Sequence, residues 1–210
     1  MKRVLCYGDS NTWGYNPSTG GQYSDDERWA GVLQEELGRG FTVIIEGLNG
    51  RTTMYDDPFE GAHKNGRTYL PACIESHKPL DLVIILLGTN DLKTRFHAAP
   101  IDVAQGAGML AGIIQASDAG PRGVAPQVLL IAPPPFEKLT GFADNFAQGE
   151  EKSRHLTRFF KQVADSRRCH YLDAGEFIVS SPIDGIHLDA TEHRTLAETV
   201  ADTMKSIFSE

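Results

Sequence analysis

Ser10, Asp184 and His187 are the residues of this chain whose types and spacing point most directly to chemistry. A serine hydroxyl is a weak nucleophile until a neighbouring base takes its proton. Histidine is the usual base because its ordinary pKa of about 6.5 lies near working pH, and a carboxylate commonly holds its second ring nitrogen. The segment "DGIH" supplies both, with Asp184 three residues ahead of His187 and Gly185 between them. A compact turn there would bring the carboxylate to Nδ1 and leave Nε2 to face Ser10. Acyl transfer also needs donors aimed at the developing oxyanion. Three are candidates: the backbone N–H of Ser10, that of Gly50, where a missing Cβ permits close approach, and the uncharged side-chain amide of Asn90.

These residues lie far apart in sequence, so the elements that carry them must deliver them to one place. Short apolar runs at Arg3–Tyr7, Thr42–Glu46, Leu80–Leu87, Gln127–Ala132 and Cys169–Asp173 read as strands. "LDLVIILLG" and "QVLLIAP" are apolar nearly throughout, as parallel strands covered on both faces are. Helical patterns alternate with them at Trp29–Leu37, Tyr69–His77, Ile101–Ser117, Gln148–Arg167 and Thr191–Phe208, the last with Thr191 as the expected N-cap. Such alternation predicts an open α/β sheet with helices on both sides. Ligands of such sheets bind beyond the carboxyl ends of the strands. The segments expected there are Gly8-Asp9-Ser10, Gly47–Thr53, Gly88–Asp91 and the prolines 133–135.

Composition narrows the class. The chain has 210 residues, suited to one domain, with 40% apolar and 23% charged residues and a net charge of −8. That balance argues against general attraction to nucleic acid or to anionic membranes. The basic start Met1-Lys2-Arg3 is followed by an apolar run that ends at Gly8, shorter than a signal sequence requires. Cys6, Cys73 and Cys169 are scattered and odd in number, which predicts no disulfide framework and a cytoplasmic location.

Four blocks, "GDSN", "GLNGRTT", "GTND" and "DGIH", stand in that order from Ser10 to His187. The chain thereby resembles the SGNH (GDSL) hydrolase family, and "CYGDSNTWGY", "GRTT" and "YLPACIESHKPLDLVIILLGTND" look most like its microbial arylesterase and acyltransferase branch. The resemblance implies a flavodoxin-like three-layer α/β/α fold with a five-stranded parallel sheet of order 2-1-3-4-5. It implies Ser10 as nucleophile, His187 as base and Asp184 as its orienting partner. Gly50 and Asn90 would complete the oxyanion hole with the Ser10 amide. It also implies small esters as substrates, aryl or short-chain acyl, with acyl transfer to alcohols as an added activity and acetylated sugars or short lipid esters and thioesters as the alternative. No cofactor is implied, and homo-oligomers, octamers among them, are expected. One departure is Arg51, where the family commonly carries Asp directly after the glycine.

The remaining residues have bland readings beside the functional ones. Trp13 and Tyr15 are core aromatics or a pocket wall; Asp9 braces the nucleophile or borders the substrate; Ile186 is placed in the pocket by its position before His187. The segment 133–146, carrying Phe136, Phe142 and Phe146, is a lid over the site or a subunit contact. Phe136 is the one assigned to the pocket, His193 is expected on a solvated helix face, and Asp91 to cap a helix or brace its loop. A metal-dependent hydrolase built on Asp184, His187, Asp189 and His193 lacks any recognised ligand spacing. A catalytically silent binding domain leaves the intact set of candidate residues unexplained. Phosphate-loop and dinucleotide motifs both fail: Ile45 and Arg51 stand where the first needs Gly and Lys.

Overall fold

The computed structural model describes residues 1–209. Five strands, β1 (Lys2–Gly8), β2 (Phe41–Gly47), β3 (Leu82–Leu86), β4 (Gln127–Ala132) and β5 (His170–Asp173), form one sheet in the order β2-β1-β3-β4-β5, every pairing parallel. Seven α-helices connect or flank them: α1 (Ser10–Trp13), α2 (Trp29–Leu37), α3 (Gly66–His77), α4 (Pro100–Gln115), α5 (Gly149–Ser153), α6 (Leu156–Arg167) and α7 (Ala190–Ile207). The expected flavodoxin-like three-layer architecture and strand order are present.

Side chains along a strand alternate between its faces, and the sheet has an apolar layer on each. Val4, Cys6, Leu82, Ile84, Leu129 and Ile131 face α2 and α7, where Trp29, Leu33, Leu196 and Val200 cover them. Leu5, Tyr7, Val83, Ile85, Val128 and Leu130 face α3, α4 and α6 through Leu70, Leu110, Ile114 and Ala164. Burial on both sides explains why β3 and β4 read as nearly unbroken apolar runs. β2, at the edge, is half-buried along its whole length. Among the described residues no helix is long and apolar enough to cross a membrane.

Two helix expectations need correction. The Gln148–Arg167 pattern is two helices, because the chain turns at Arg154 and His155. Ser153 fixes that break: its hydroxyl accepts the Phe136 amide at 2.9 Å and donates to Glu150 O at 3.0 Å. At α7 the N-cap position belongs to Asp189, and Thr191 lies inside the first turn.

The register aligns the business ends of the strands. Gly8 pairs with Gly47 of β2 and with Leu86 of β3, so β1, β2 and β3 finish at one level. The loops that leave them carry Ser10, Gly50 and Asn90. The order reverses between β1 and β3, the switch point at which open sheets form their binding crevice.

Candidate active site

Ser10 opens α1, a single helical turn started directly from β1. Asp9 caps that turn by accepting the Asn11 amide at 3.0 Å, and Gly14 ends it in the left-handed region at φ 93°. Asp9 is buried, and burial raises its carboxyl to about 6, against the lowering pull of the Asn11 amide and of the His187 and Arg51 charges. Its side chain therefore braces the Ser10 turn and does not line the pocket.

The "DGIH" segment forms the compact turn its spacing suggested. Asp184 Oδ1 accepts the backbone amides of Ile186 and His187, each at 2.9 Å, while Oδ2 meets His187 Nδ1 at 2.6 Å. His187 Nε2 lies 2.9 Å from Ser10 Oγ. Carboxylate, imidazole and hydroxyl thus form a continuous chain of largely buried groups, Ser10 being 5%, Asp184 6% and His187 7% exposed. Burial works to raise the Asp184 carboxyl, but the His187 hydrogen bond and charge, with the two amides, hold it below the usual carboxylate range. Gly185 makes the turn possible at φ +83°, and a Cβ there would sit 2.7 Å from Lys138 O.

The loop 133–146 reaches this turn from outside. The Glu137 amide donates to Gly185 O at 3.0 Å, and Thr140 Oγ1 donates to Ile183 O at 2.7 Å. Phe142 stands edge-on to the His187 ring at 6.0 Å, and Tyr15 lies tilted over it at 4.1 Å. The loop therefore buttresses the histidine and walls the pocket within one chain.

Ser10 and His187 open into a pocket of about 290 Å³. Gly50 and Asn90 line it with them. Asn90 Nδ2 is buried without a protein partner, so its N–H donors are free for a ligand. Gly50 has φ +79°, and a side chain there would run into the Glu60 carboxylate. Asp91, fully buried, accepts the Thr53 amide with both oxygens at 3.0 Å and also the Thr53 hydroxyl. It thereby ties the Asn90 turn to the loop carrying Gly50. Burial raises the Asp91 carboxyl to about 7, and the Thr53 bonds lower it only in part.

Of the residues assigned to the pocket from sequence, Tyr15 and Ile186 line it, whereas Trp13 and Phe136 do not. Trp13 turns away because its backbone packs onto Gly47, where no Cβ would fit. Phe136 lies in the core beneath the loop, edge-on to Phe146 at 5.3 Å. Phe142, Asn145 and Phe146 take that wall instead. The opposite wall is charged and went unread in the sequence: Lys93 Nζ meets Glu60 Oε1 at 2.5 Å, and Arg95 Nη1 meets Asp57 Oδ1 at 2.8 Å. Only the position of Lys93 just past "GTND" hinted at it.

His193 is also corrected. It is buried, and its Nδ1 accepts the Trp29 amide at 3.2 Å, which supplies the N-terminus of α2 with an acceptor. Burial, and then the His187 charge, lower its pKa to about 3. Asp184, His187, Asp189 and His193 do not gather their donor atoms into one metal-ligand group among the described residues. Arg51 resolves the family departure: its guanidinium donates to Gly8 O at 2.9 Å and to Glu46 O, and stacks 4.2 Å from the Tyr7 ring centre. A cation bonded to two carbonyls thus does the bracing in this loop.

The GDSL-like lipase/acylhydrolase family model matches residues 6–195. Est24, a carbohydrate acetylesterase from Sinorhizobium meliloti, is 42% identical with a TM-score of 0.95, covering 99% of this chain and 100% of its own. The inhibitor-bound aryl esterase of M. smegmatis is 39% identical with a TM-score of 0.94, covering 98% of this chain and 99% of its own. A lipolytic G-D-S-L family member from Veillonella parvula, at 14% identity and a TM-score of 0.70, covers 98% of this chain and 99% of its own and shares the fold. None of the curated proteins matches the chain.

Proposed function

The chain belongs to the GDSL-like lipase/acylhydrolase family, and we propose that it hydrolyses small carboxylic esters through an acyl-enzyme on Ser10. The observation that carries this reading is the unbroken contact from Asp184 through His187 to Ser10, at 2.6 and 2.9 Å. His187 Nε2 takes the Ser10 proton as Oγ attacks the ester carbonyl. Asp184 holds the imidazole orientation and offsets its positive charge. The tetrahedral oxyanion is held by the Ser10 and Gly50 amides and by Asn90 Nδ2. His187 then passes its proton to the departing alcohol. A water enters, gives one proton to His187 and attacks the acyl carbon; the bond to Ser10 Oγ then breaks, His187 returns the proton to Oγ and the acid leaves.

A pocket of about 290 Å³ walled by Tyr15 and Phe142 supports a short acyl group and a compact alcohol. Acetylated sugar is the second reading, favoured by the Glu60, Lys93, Arg95 and Asn145 side of the pocket, whose polar groups suit a hydroxylated alcohol. The carbohydrate acetylesterase relative supports it as well. The apolar side, where an alcohol can compete with water, supports acyl transfer; formation of no new ester under excess alcohol would dismiss that activity. We also propose self-association, supported by the exposure of Phe59, Phe177, Val179 and Ile183. Sedimentation of only a 23.0 kDa species at micromolar concentration would refute it.

The deciding experiment is Ser10→Ala assayed on p-nitrophenyl acetate, with a fluorophosphonate probe on both proteins. Hydrolysis and covalent labelling should both vanish while the circular dichroism spectrum is kept. Near-native turnover by the folded variant would end the mechanism.

A further inference from the structure

Away from the pocket, one group of three metal-capable side chains brings its donor atoms within 4.8 Å of one another among the described residues: Glu46, Cys73 and His77. Cys73 and His77 are four residues apart at the end of α3, so they share a helix face. Glu46 comes from edge strand β2, and its Oε1 lies 3.0 Å from His77 Nε2. The Tyr69 hydroxyl donates to the same carboxylate oxygen at 3.4 Å and so helps fix its orientation. Cys73 is closed off at 0% exposure, while the His77 and Glu46 side chains are 30% and 21% exposed. A cleft of about 520 Å³ bordered by Glu46, Arg51, His63 and Tyr69 opens on the Glu46 side of the group.

We propose that Glu46, Cys73 and His77 form an accessory site for one zinc-class divalent cation, with water from the cleft as the fourth ligand. The donor set decides the class of ion. Thiolate, imidazole and carboxylate together suit zinc and its borderline neighbours, whereas magnesium and calcium take oxygen ligands. Tetrahedral zinc at its usual bond lengths separates such donors by roughly 3.4–3.6 Å. Side-chain shifts of about an ångström reach that spacing: Cys73 Sγ and its partners draw in from within 4.8 Å, and the His77–Glu46 pair opens from 3.0 Å. The incoming ion displaces the Cys73 thiol proton to solvent, and the thiolate and the Glu46 carboxylate offset its two charges.

A plain ion pair between Glu46 and His77 is the competing role, and it gives Cys73 nothing to do beyond packing. The bound ion would instead pin edge strand β2 to α3, next to the Glu46 carbonyl that Arg51 already ties to Gly8. It takes no part in the ester chemistry and does not rest on it.

The test titrates zinc and cobalt chlorides into the chelator-stripped full chain. One equivalent should bind, raising the Tm, and the cobalt complex should show a thiolate-to-metal charge-transfer band. Cys73→Ala and His77→Gln should each weaken zinc at least tenfold and lose the Tm rise, while Ser10→Ala binds as the wild type does. If Cys73→Ala is unfolded by circular dichroism, Glu46→Gln takes its place, with the same tenfold loss expected. Undiminished affinity in these variants, absence of the thiolate band, or zinc binding that disappears in His187→Ala would overturn the assignment.

Discussion

Replacing Asn90 by Ala separates catalysis from stability more cleanly than any other change at this site. Asn90 is 6% exposed, and its Nδ2 has no partner within the protein. The amide is held in place by the Asp91 anchor on Thr53, so it is aimed before substrate arrives. A hydrogen bond that tightens on the oxyanion lowers the barrier without tightening ground-state binding. Loss of one such donor costs about 3–4 kcal/mol, or roughly 10²–10³ in kcat, with little change in KM. Nδ2 makes no hydrogen bond to the protein, so the deletion breaks none there, and stability should move by less than about 1 kcal/mol. Steady-state kinetics on p-nitrophenyl acetate, corrected for competent sites by fluorophosphonate labelling, gives the first quantity; urea unfolding gives the second. A kcat within tenfold of the wild type would remove Asn90 from the oxyanion hole. A large stability loss that accounted for the kinetic defect would make the residue structural.

His193→Gln tests the buried imidazole through pH. A histidine held at about 3 favours the neutral form, so its contribution to stability is present above about pH 6.5 and lost as pH falls toward 3. The wild type should shed up to about 5 kcal/mol through this group across that window; urea unfolding at stepped pH should show a shallower acid decline in the variant, and parallel declines would refute the burial argument. Asp91→Asn has the opposite sign. The raised Asp91 carboxyl contributes stability below about pH 4 that is gone by about pH 7, so the variant should flatten the decline between those values; an unchanged slope would show that Asp91 titrates normally. Arg51→Lys should cost about 2–3 kcal/mol in urea unfolding, because Nη1 donates to both carbonyls while the guanidinium plane stacks on Tyr7, and a shorter, non-planar ammonium cannot do both. A neutral outcome would deny Arg51 its bracing role.

What the sequence made legible follows from how far each signal travels along the chain. Strands buried on both faces announce themselves as apolar runs, and Asp184 and His187 sit within one turn, so fold and turn could be read locally. Trp13 and Tyr15 show the limit: both follow Ser10, but the turn of α1 sends only Tyr15 over the imidazole, and composition carries no direction. The Glu60–Lys93 pair joins loops 33 residues apart, and nothing in either segment encodes the meeting. His193 is the more instructive error. It falls in phase with Leu196, Ala197, Val200 and Met204 on the buried stripe of α7, so periodicity placed it inside while its polarity suggested the surface. The stripe was right: Nδ1 accepts the Trp29 amide and the ring packs edge-on to Tyr23 at 5.2 Å, although Nε2 has no hydrogen-bond partner. Position on a helix face sets whether a side chain is buried; its chemistry then sets which partner it must find. At His193 that partner is the otherwise uncapped start of α2, whose N-cap residue Arg28 makes no side-chain cap bond.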